Sequence, residues 1–217
     1  MTDLSRPSIP DGLRSGGVVA IARRLAAATA PRVADALVAG GVHAFEITLN
    51  DPAESALRAI ESVARRSPDI AIGAGTVLSI DMAKRAIDVG ATFLVMPHTD
   101  PELVAWAATR DIPALPGAAT PTEVLAGWRA GAAAVKVFPA SVLGPAFLRE
   151  LRGPFPDIPL VPSGGVTADN AAGFVRAGAV AVGVGGWLIG DAEPSGVTVR
   201  ARQLVDLAAA ARAADQS

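Results

Sequence analysis

Only two of the 19 basic residues in this 217-residue chain are lysines, and their surroundings differ. Lys84 lies in the polar segment DMAKRAID, and we expect it to be solvated. Lys136 interrupts AAAVKVF, an otherwise apolar strand, so its amine must be partly desolvated. Burial favours the neutral amine, which can attack a carbonyl, whereas an arginine there would stay protonated. The pattern predicts a Schiff-base nucleophile at Lys136; the alternative is a structural lysine that reaches solvent or pairs with an acid.

A carboxylate interrupts a second apolar strand, in VHAFEITLN. Strand alternation places Glu46, Thr48 and Asn50 on one face and the apolar residues between them on the other. The same parity puts Lys136 and Phe138 on the interior face of their strand, so the carboxylate and the amine can meet inside the fold. Glu46 would then transfer protons during Schiff-base chemistry. The alternative is a purely structural buried salt bridge.

Two glycine-rich turns follow the last two predicted strands, with Ser163, Gly164 and Gly165 in the first and Gly185 and Gly186 in the second. Glycines let backbone N–H groups approach phosphate oxygens, and the next helix adds a favourable dipole. The turns predict a phosphate site, although glycine is also common in ordinary turns.

Three further residues follow other strands and could line the mouth of the site. Thr76, after Gly73-Ala74-Gly75, and Pro97, before His98, could hold a substrate carboxylate, although a plain strand-end role is the alternative. Arg23 shares the parity of the interior residues of the first strand and could bind an anion at the rim. Its neighbour Arg24 is expected to face solvent.

These residues need elements that bring them together. Short Val- and Ile-rich segments alternate with Ala-rich segments carrying spaced charges, which is typical of βα units over a parallel sheet. We predict an α/β fold, a closed (β/α)8 TIM barrel, with an extra N-terminal helix at residues 4–14 across its floor. An open doubly wound sheet is the alternative, but the first strand lacks the glycine-rich turn typical of that fold. The strands are predicted at residues 18–22, 42–49, 70–74, 92–96, 112–115, 133–138, 159–162 and 180–184.

Helix starts and ends are predicted from polar and glycine residues at the segment boundaries. Candidate N-caps or first-turn prolines are Asp51-Pro52, Ser79, Thr99-Asp100-Pro101, Thr120-Pro121 and Thr167. Glycines that end the preceding helices are Gly40-Gly41, Gly90, Gly131 and Gly178.

Composition limits the class of protein. With 51% hydrophobic and 18% charged residues, the chain can build one sizeable core, and residues 1–217 are expected to form a single domain. A net charge of −2 argues against nucleic-acid binding, so the expected partners are small molecules. With no cysteine and two histidines, no metal or other cofactor is expected. No segment suits a signal peptide or a membrane span, so a soluble, cytoplasmic protein is expected.

The motifs in this order resemble the class I 2-keto-3-deoxy-6-phosphogluconate (KDPG) aldolase family, which includes the aldolases for the 6-phosphogalactonate epimer. The resemblance covers residues 18–188, and its most specific parts are EITL, GAGT, KVFP and SGGV. It implies a metal-free, cytoplasmic homotrimer that acts in sugar-acid catabolism.

The resemblance also implies roles for individual residues. Lys136 would form the Schiff base, and Glu46 would be the general acid/base. Thr76 and Pro97 would line the pyruvate end, and Phe138 would pack beside the imine. The glycines Gly164, Gly165, Gly185 and Gly186 would hold the phosphate.

Several residues depart from the gluconate-type pattern. Asn50 and Ser141 replace a frequent arginine and glutamate, and with Arg23 they resemble the galactonate branch. Gly186 lacks a serine hydroxyl that relatives often direct at phosphate, whereas Ser163 replaces a common threonine and keeps a hydroxyl.

The sequence therefore predicts cleavage of a phosphorylated 2-keto-3-deoxy sugar acid to pyruvate and glyceraldehyde 3-phosphate. Cleavage of unphosphorylated 4-hydroxy-2-oxoglutarate is the alternative among enzymes. A non-catalytic barrel that binds sugar phosphates is the alternative from another class, and an isomerase or synthase barrel with the same phosphate site is a third.

Overall fold

A computed structural model describes residues 6–49 and 53–214 of the chain. Parallel strands alternate with helices along most of this part, except where β6 follows β5 and α10 follows α9. The strands are β1 (Val18–Ala22), β2 (Ala44–Thr48), β3 (Ala71–Gly75), β4 (Phe93–Val95), β5 (Ala114–Leu115), β6 (Gly117–Ala118), β7 (Val135–Val137), β8 (Leu160–Pro162) and β9 (Val182–Val184). The helices are α1 (Asp11–Gly16), α2 (Ala30–Ala39), α3 (Ala53–Arg66), α4 (Ile80–Asp88), α5 (Pro101–Ala108), α6 (Pro121–Arg129), α7 (Ala140–Arg152), α8 (Ala168–Arg176), α9 (Gly186–Ile189) and α10 (Pro194–Ala214).

The strands form two parallel sheets. One has the order β5-β4-β3-β2-β1-β9, and the other has the order β6-β7-β8. A parallel bridge between Ser163 and Gly183 joins β8 to β9, and the Val180 N–H donates to the Leu160 carbonyl at 3.0 Å. Each of the eight predicted strand regions contains strand structure, but the fifth differs from the prediction.

The fifth predicted strand, residues 112–115, is wrong in extent. Only its last two residues form a strand, β5, and a second short strand, β6, follows after Pro116, which has no N–H to donate to a sheet. β5 pairs with β4, whereas β6 pairs with β7, so this stretch changes partners at the proline.

Side chains on opposite faces of the strands enter two separate apolar clusters. The outer cluster lies between the sheets and the helices, and Phe45 and Ile47 of β2 belong to it. The inner cluster gathers Val19, Ala44, Phe93, Val95, Leu115, Ala134 and Val161, which come from strand regions all around the fold. Side chains from so many strands can meet only if the sheets curl around them. The predicted alternation on β2 is confirmed for its described residues, since Ala44 belongs to the inner cluster and Phe45 and Ile47 belong to the outer one.

Most helix boundaries follow the predicted capping residues. The Ser79 hydroxyl accepts from the Met82 N–H, and the Asp100 carboxylate accepts from the N–H groups of Glu102 and Leu103. The predicted glycine ends Gly41, Gly90, Gly131 and Gly178 all have φ between +85° and +103°, which favours glycine. The predicted start at Asp51-Pro52 lies outside the described residues.

The N-terminal helix is shorter than predicted. Residues 6–10 are not helical, and α1 extends only from Asp11 to Gly16. Ile9 and Leu13 of this segment belong to the inner cluster, which they reach at the end where the parallel strands begin. Within residues 6–49 and 53–214, no helix is long and apolar enough to cross a membrane.

Candidate active site

Lys136 lies in the middle of β7 and is 8% exposed. Its backbone N–H donates to the Pro116 carbonyl at 2.9 Å, which fixes β7 beside the break between β5 and β6. Its Nζ lies 5.1 Å from the centre of the Phe138 ring, close enough for a cation–π contact. The amine is therefore buried on the inner face with an aromatic ring beside it.

Glu46 lies in β2, opposite Ile21 of β1 and Gly73 of β3, and is 2% exposed. Burial raises the pKa of its carboxyl group, because the charged form loses its hydration. The positive charges of Lys136 and then Arg23 offset part of this rise. A buried carboxyl group whose pKa is raised in this way is a candidate for proton transfer.

The amine and the carboxyl group line one small cavity on the inner face. Its wall is formed by Val19, Ile21, Glu46, Val95, Leu115, Lys136, Val161, Ser163 and Gly183. Glu46 and Lys136 are not in an ion pair of 4.0 Å or less, and neither forms one with any other residue of the described chain. The two groups therefore share the cavity without the direct contact of a structural salt bridge.

Ser163, at the end of β8, provides a hydroxyl to the same cavity and is 3% exposed. Gly183 of β9 leaves space for this side chain, because a Cβ at Gly183 would lie 2.8 Å from the serine Oγ. The glycine in the buried segment VGV is thus explained by a close approach between two strands.

The first glycine-rich turn packs against the residues that follow β7. A Cβ at Gly164 would lie 3.0 Å from the Phe138 ring, and one at Gly165 would lie 2.7 Å from the Ser141 hydroxyl. Both glycines have positive φ, at 91° and 78°. The turn therefore requires glycine at both positions, for its backbone conformation and for the space beside these side chains.

Backbone donors are available at both glycine-rich turns. Among the described residues, no turn or loop hydrogen bond joins the N–H groups of Gly165 and Gly186 to a backbone carbonyl. Gly185 precedes the short helix α9, and a Cβ placed on it would lie 3.4 Å from an Arg23 guanidinium nitrogen. Arg23 is exposed and lies beside the second turn. This arrangement offers N–H groups and a cation to an anion.

The remaining predicted residues follow strands at the same end of the sheets. Thr76 comes directly after β3, is half-buried and has φ of 58°, a conformation uncommon for a non-glycine residue. Pro97 follows β4 and is half-buried. Neither lines the small cavity. Asn50 lies outside the described residues. Lys84 is exposed, as expected.

One residue was not identified from the sequence. Gly75 lies just beyond the predicted third strand, residues 70–74, but it is the last residue of β3 and has the Glu46 side chain against it. Glycine inside a buried strand is a signal of close approach, but the sequence alone does not show which side chain approaches.

Comparisons with known proteins identify the family of this chain. The family model for KDPG and KHG aldolase matches residues 9–196. A probable 2-dehydro-3-deoxy-6-phosphogalactonate aldolase from Rhizobium meliloti is 39% identical over 88% of this chain and 90% of its own length. A 2-dehydro-3-deoxy-phosphogluconate aldolase from Pseudomonas aeruginosa is 40% identical over 72% of this chain and 71% of its own length.

A solved structure also matches: KDPG aldolase from Legionella pneumophila, with pyruvate captured at low pH as a covalent carbinolamine intermediate. The TM-score is 0.77 at 28% identity, covering 92% of this chain and 95% of that one. The fold, the buried amine and these similarities define a carbon–carbon lyase of the aldolase class. The chain belongs to the KDPG and KHG aldolase family.

Proposed function

We propose that this protein cleaves a 2-keto-3-deoxy-6-phospho sugar acid, of the gluconate or galactonate type, to pyruvate and glyceraldehyde 3-phosphate. The observation that carries the proposal is the pair of buried groups, Lys136 and Glu46, that line one cavity without forming an ion pair. Both curated relatives have names that describe aldolases for such acids.

The reaction begins with imine formation. The neutral amine of Lys136 attacks C2 of the keto acid, a carbinolamine forms, and loss of water gives a protonated imine. The carbinolamine captured in the Legionella pneumophila structure is the kind of intermediate that this step requires. The Phe138 ring, 5.1 Å from Nζ, presents its negative face to the cationic nitrogen.

Cleavage then needs a base and an electron sink. Glu46, directly or through water, takes the proton of the C4 hydroxyl, the C3–C4 bond breaks, and its electrons move to the imine nitrogen. The aldehyde leaves, and an enamine of pyruvate remains on Lys136. Protonation at C3 followed by addition of water releases pyruvate and restores the amine.

The other residues would bind the two ends of the substrate. We assign the carboxylate end to Thr76 and Pro97, and a substrate hydroxyl to Ser163. The phosphate end is assigned to the N–H groups of Gly164, Gly165, Gly185 and Gly186. Asn50 and Arg23 complete the proposed substrate-binding set. Asn50 is included by the resemblance to the family. Arg23 is included because it lies beside Gly185 and its charge acts on Glu46.

Borohydride reduction in the presence of pyruvate tests the nucleophile. We expect the wild-type chain to gain one reduced pyruvate adduct, located on Lys136 by peptide mass spectrometry, and Lys136→Ala to gain none and to lose cleavage activity. Lys84→Ala, which removes the only other lysine, is the matched control and should be trapped like wild type. Normal turnover by folded Lys136→Ala would refute the assignment.

A pyruvate-release assay tests the substrate. We expect kcat/KM for at least one of the two phosphorylated epimers to exceed that for 4-hydroxy-2-oxoglutarate by more than tenfold, or about 1.4 kcal/mol of transition-state discrimination. Glycine-rich turns with available N–H groups favour a phosphorylated substrate. Equal activity on the unphosphorylated acid would favour the alternative function.

The proposal extends to the whole molecule. We propose that residues 1–217 form one domain in which both sheets close into a (β/α)8 barrel. The bridge between Ser163 and Gly183 and the shared inner cluster support this closure.

By its resemblance to the family, the chain would act as a cytoplasmic homotrimer. Light scattering should then give three times the 21.8 kDa mass of one chain.

A further inference from the structure

The inner face of β3 contributes almost no side chain to the interior. Ile72 and Ala74 belong to the outer cluster, so Ala71, Gly73 and Gly75 face inward. A Cβ at Gly73 would meet the Phe93 ring, with 2.6 Å to Cδ2. Gly73 therefore makes space for a core aromatic residue that fills the interior.

Gly75 makes space for a different side chain. A Cβ there would lie 2.5 Å from Cδ and 2.7 Å from Cγ of Glu46, and closer still to Oε1. Glu46 is paired in register with Gly73, so its side chain leans along β3 by two residues to reach Gly75. The carboxyl group therefore lies where a methyl group on residue 75 would be.

The backbone of residue 75 gives no other reason for glycine. Gly75 is not among the residues with positive φ, so its strand conformation is open to alanine. The atoms that an added methyl group would displace are the far end of a flexible side chain and not backbone. An alanine here should therefore move the Glu46 carboxyl group and leave the sheet in place.

We infer that Gly75 is a positioning residue, whose missing side chain sets where the Glu46 carboxyl group lies relative to Lys136. The inference rests on the proposed function, because it matters only if Glu46 transfers protons to and from an intermediate on Lys136. Gly75 has no side chain that could react, so its role would act through Glu46.

Exchange of the pyruvate methyl protons in D2O measures this role without aldol cleavage. Lys136 forms the imine, Glu46 takes a proton from the methyl carbon to give the enamine, and a deuteron returns to that carbon. We expect Gly75→Ala to slow this exchange and the kcat of cleavage at least tenfold. The final extent of borohydride trapping on Lys136 should stay within twofold of wild type.

Two further variants separate positioning from a general structural effect. In a Glu46→Gln background, adding Gly75→Ala should change residual turnover by less than twofold, since there is no base left to misplace. Gly73→Ala, on the same strand and face, is the matched control. It should lower the melting temperature because it meets the Phe93 ring, but the protein that stays folded should exchange normally.

The outcomes are distinct. If wild type itself gives no adduct on Lys136, the proposed function fails. If wild type is trapped but Gly75→Ala exchanges within twofold of wild type, or loses the same factor in the Glu46→Gln background, the positioning role is overturned. Should Gly75→Ala fail to fold, adding Glu46→Ala removes the displaced side chain and should restore folding; continued unfolding would contradict the inference.

Discussion

At the scale of single residues, burial controls the behaviour of Glu46. Its pKa is raised mainly by burial, and Lys136 and Arg23 limit the rise. The folded state therefore binds this proton more tightly than the unfolded state does. The resulting contribution to stability is present below the unfolded-state pKa and is lost as pH rises through the folded-state pKa. As a general base, Glu46 works only above its folded-state pKa, so activity and stability respond oppositely to pH.

The first prediction concerns Arg23, whose charge lowers the pKa of Glu46. Removing that charge in Arg23→Gln should raise this pKa and move the acid limb of the kcat/KM profile to higher pH. The shift should shrink at high salt, because Arg23 is exposed. The measurement is kcat/KM against pH at two ionic strengths.

Arg24→Gln is the matched control for this variant. Arg24 is also exposed, and its charge is not among the causes of the Glu46 shift. Its acid limb should coincide with that of wild type. A limb that moves to lower pH in Arg23→Gln would contradict the electrostatic role.

Lys136 and Glu46 were identifiable from the sequence, because a single charged residue inside an apolar segment can be recognised without knowing the fold. Both lie on the inner face and line the same cavity, as the strand parity predicts. The relation of Gly75 to Glu46 was not predictable, because it depends on the register between two strands and on a side-chain direction. Residue roles in the site remain predictions that the proposed variants test.

At the scale of elements, sequence signals were most reliable where a local hydrogen bond decides the outcome. Ser79, Asp100 and Thr120 cap α4, α5 and α6 through their own side chains. The fifth strand was less predictable, since the change of partners at Pro116 depends on how two sheets meet. The start of the N-terminal helix was placed too early because residues 6–10 pack without helical hydrogen bonding.

The N-terminal cap of α6 gives the second prediction. The Thr120 hydroxyl accepts from the Glu123 N–H, and the Glu123 carboxylate accepts from the Ala119 N–H at 2.9 Å. Thr120→Ala should therefore lower the free energy of unfolding by about 1 kcal/mol. Chemical denaturation at neutral pH measures the change. Thr122→Ala, an exposed position in the same helix, should change it by less than about 0.5 kcal/mol.

The same cap should depend on pH. Hydrogen bonds, first from Ala119 and then from Thr120, lower the pKa of Glu123. The carboxylate therefore contributes stability above its unfolded-state pKa, and this contribution is lost as pH falls through the lowered folded-state value. Glu123→Gln should be less stable than wild type at pH 7 and should approach it in acid. An unchanged difference across this range would contradict the cap's ionic character.

At the scale of the whole molecule, the carboxyl ends of the parallel strands lie on the side of the candidate site, and their amino ends lie on the side that the N-terminal segment covers. Lys136 and Glu46 lie within strands and the candidate phosphate-binding turns follow the strands, whereas Ile9 and Leu13 cover the inner cluster where strands begin. Parallel strands place all their carboxyl ends on one side, so the loops that would bind substrate and the segment that covers the inner cluster lie at opposite ends of the strands.

This separation gives the third prediction. Leu13 is fully buried, so Leu13→Ala should lower the free energy of unfolding by about 2–5 kcal/mol. The kcat per folded molecule should be unchanged, because Leu13 does not line the cavity that contains Lys136. Leu78→Ala, at a 51% exposed position, should have little effect on stability. A stable Leu13→Ala protein with reduced kcat would show that the floor shapes the site.

The break at Pro116 has a consequence for evolution and engineering. The Pro116 carbonyl accepts a hydrogen bond from the backbone N–H of Lys136. A change in the length of the chain between β5 and β6 would therefore change the register between β6 and β7, which contains Lys136. The position of the Lys136 amine in the cavity thus depends on a proline that has no catalytic group. Insertions are expected to be tolerated in the outer connections long before one is tolerated between Leu115 and Gly117.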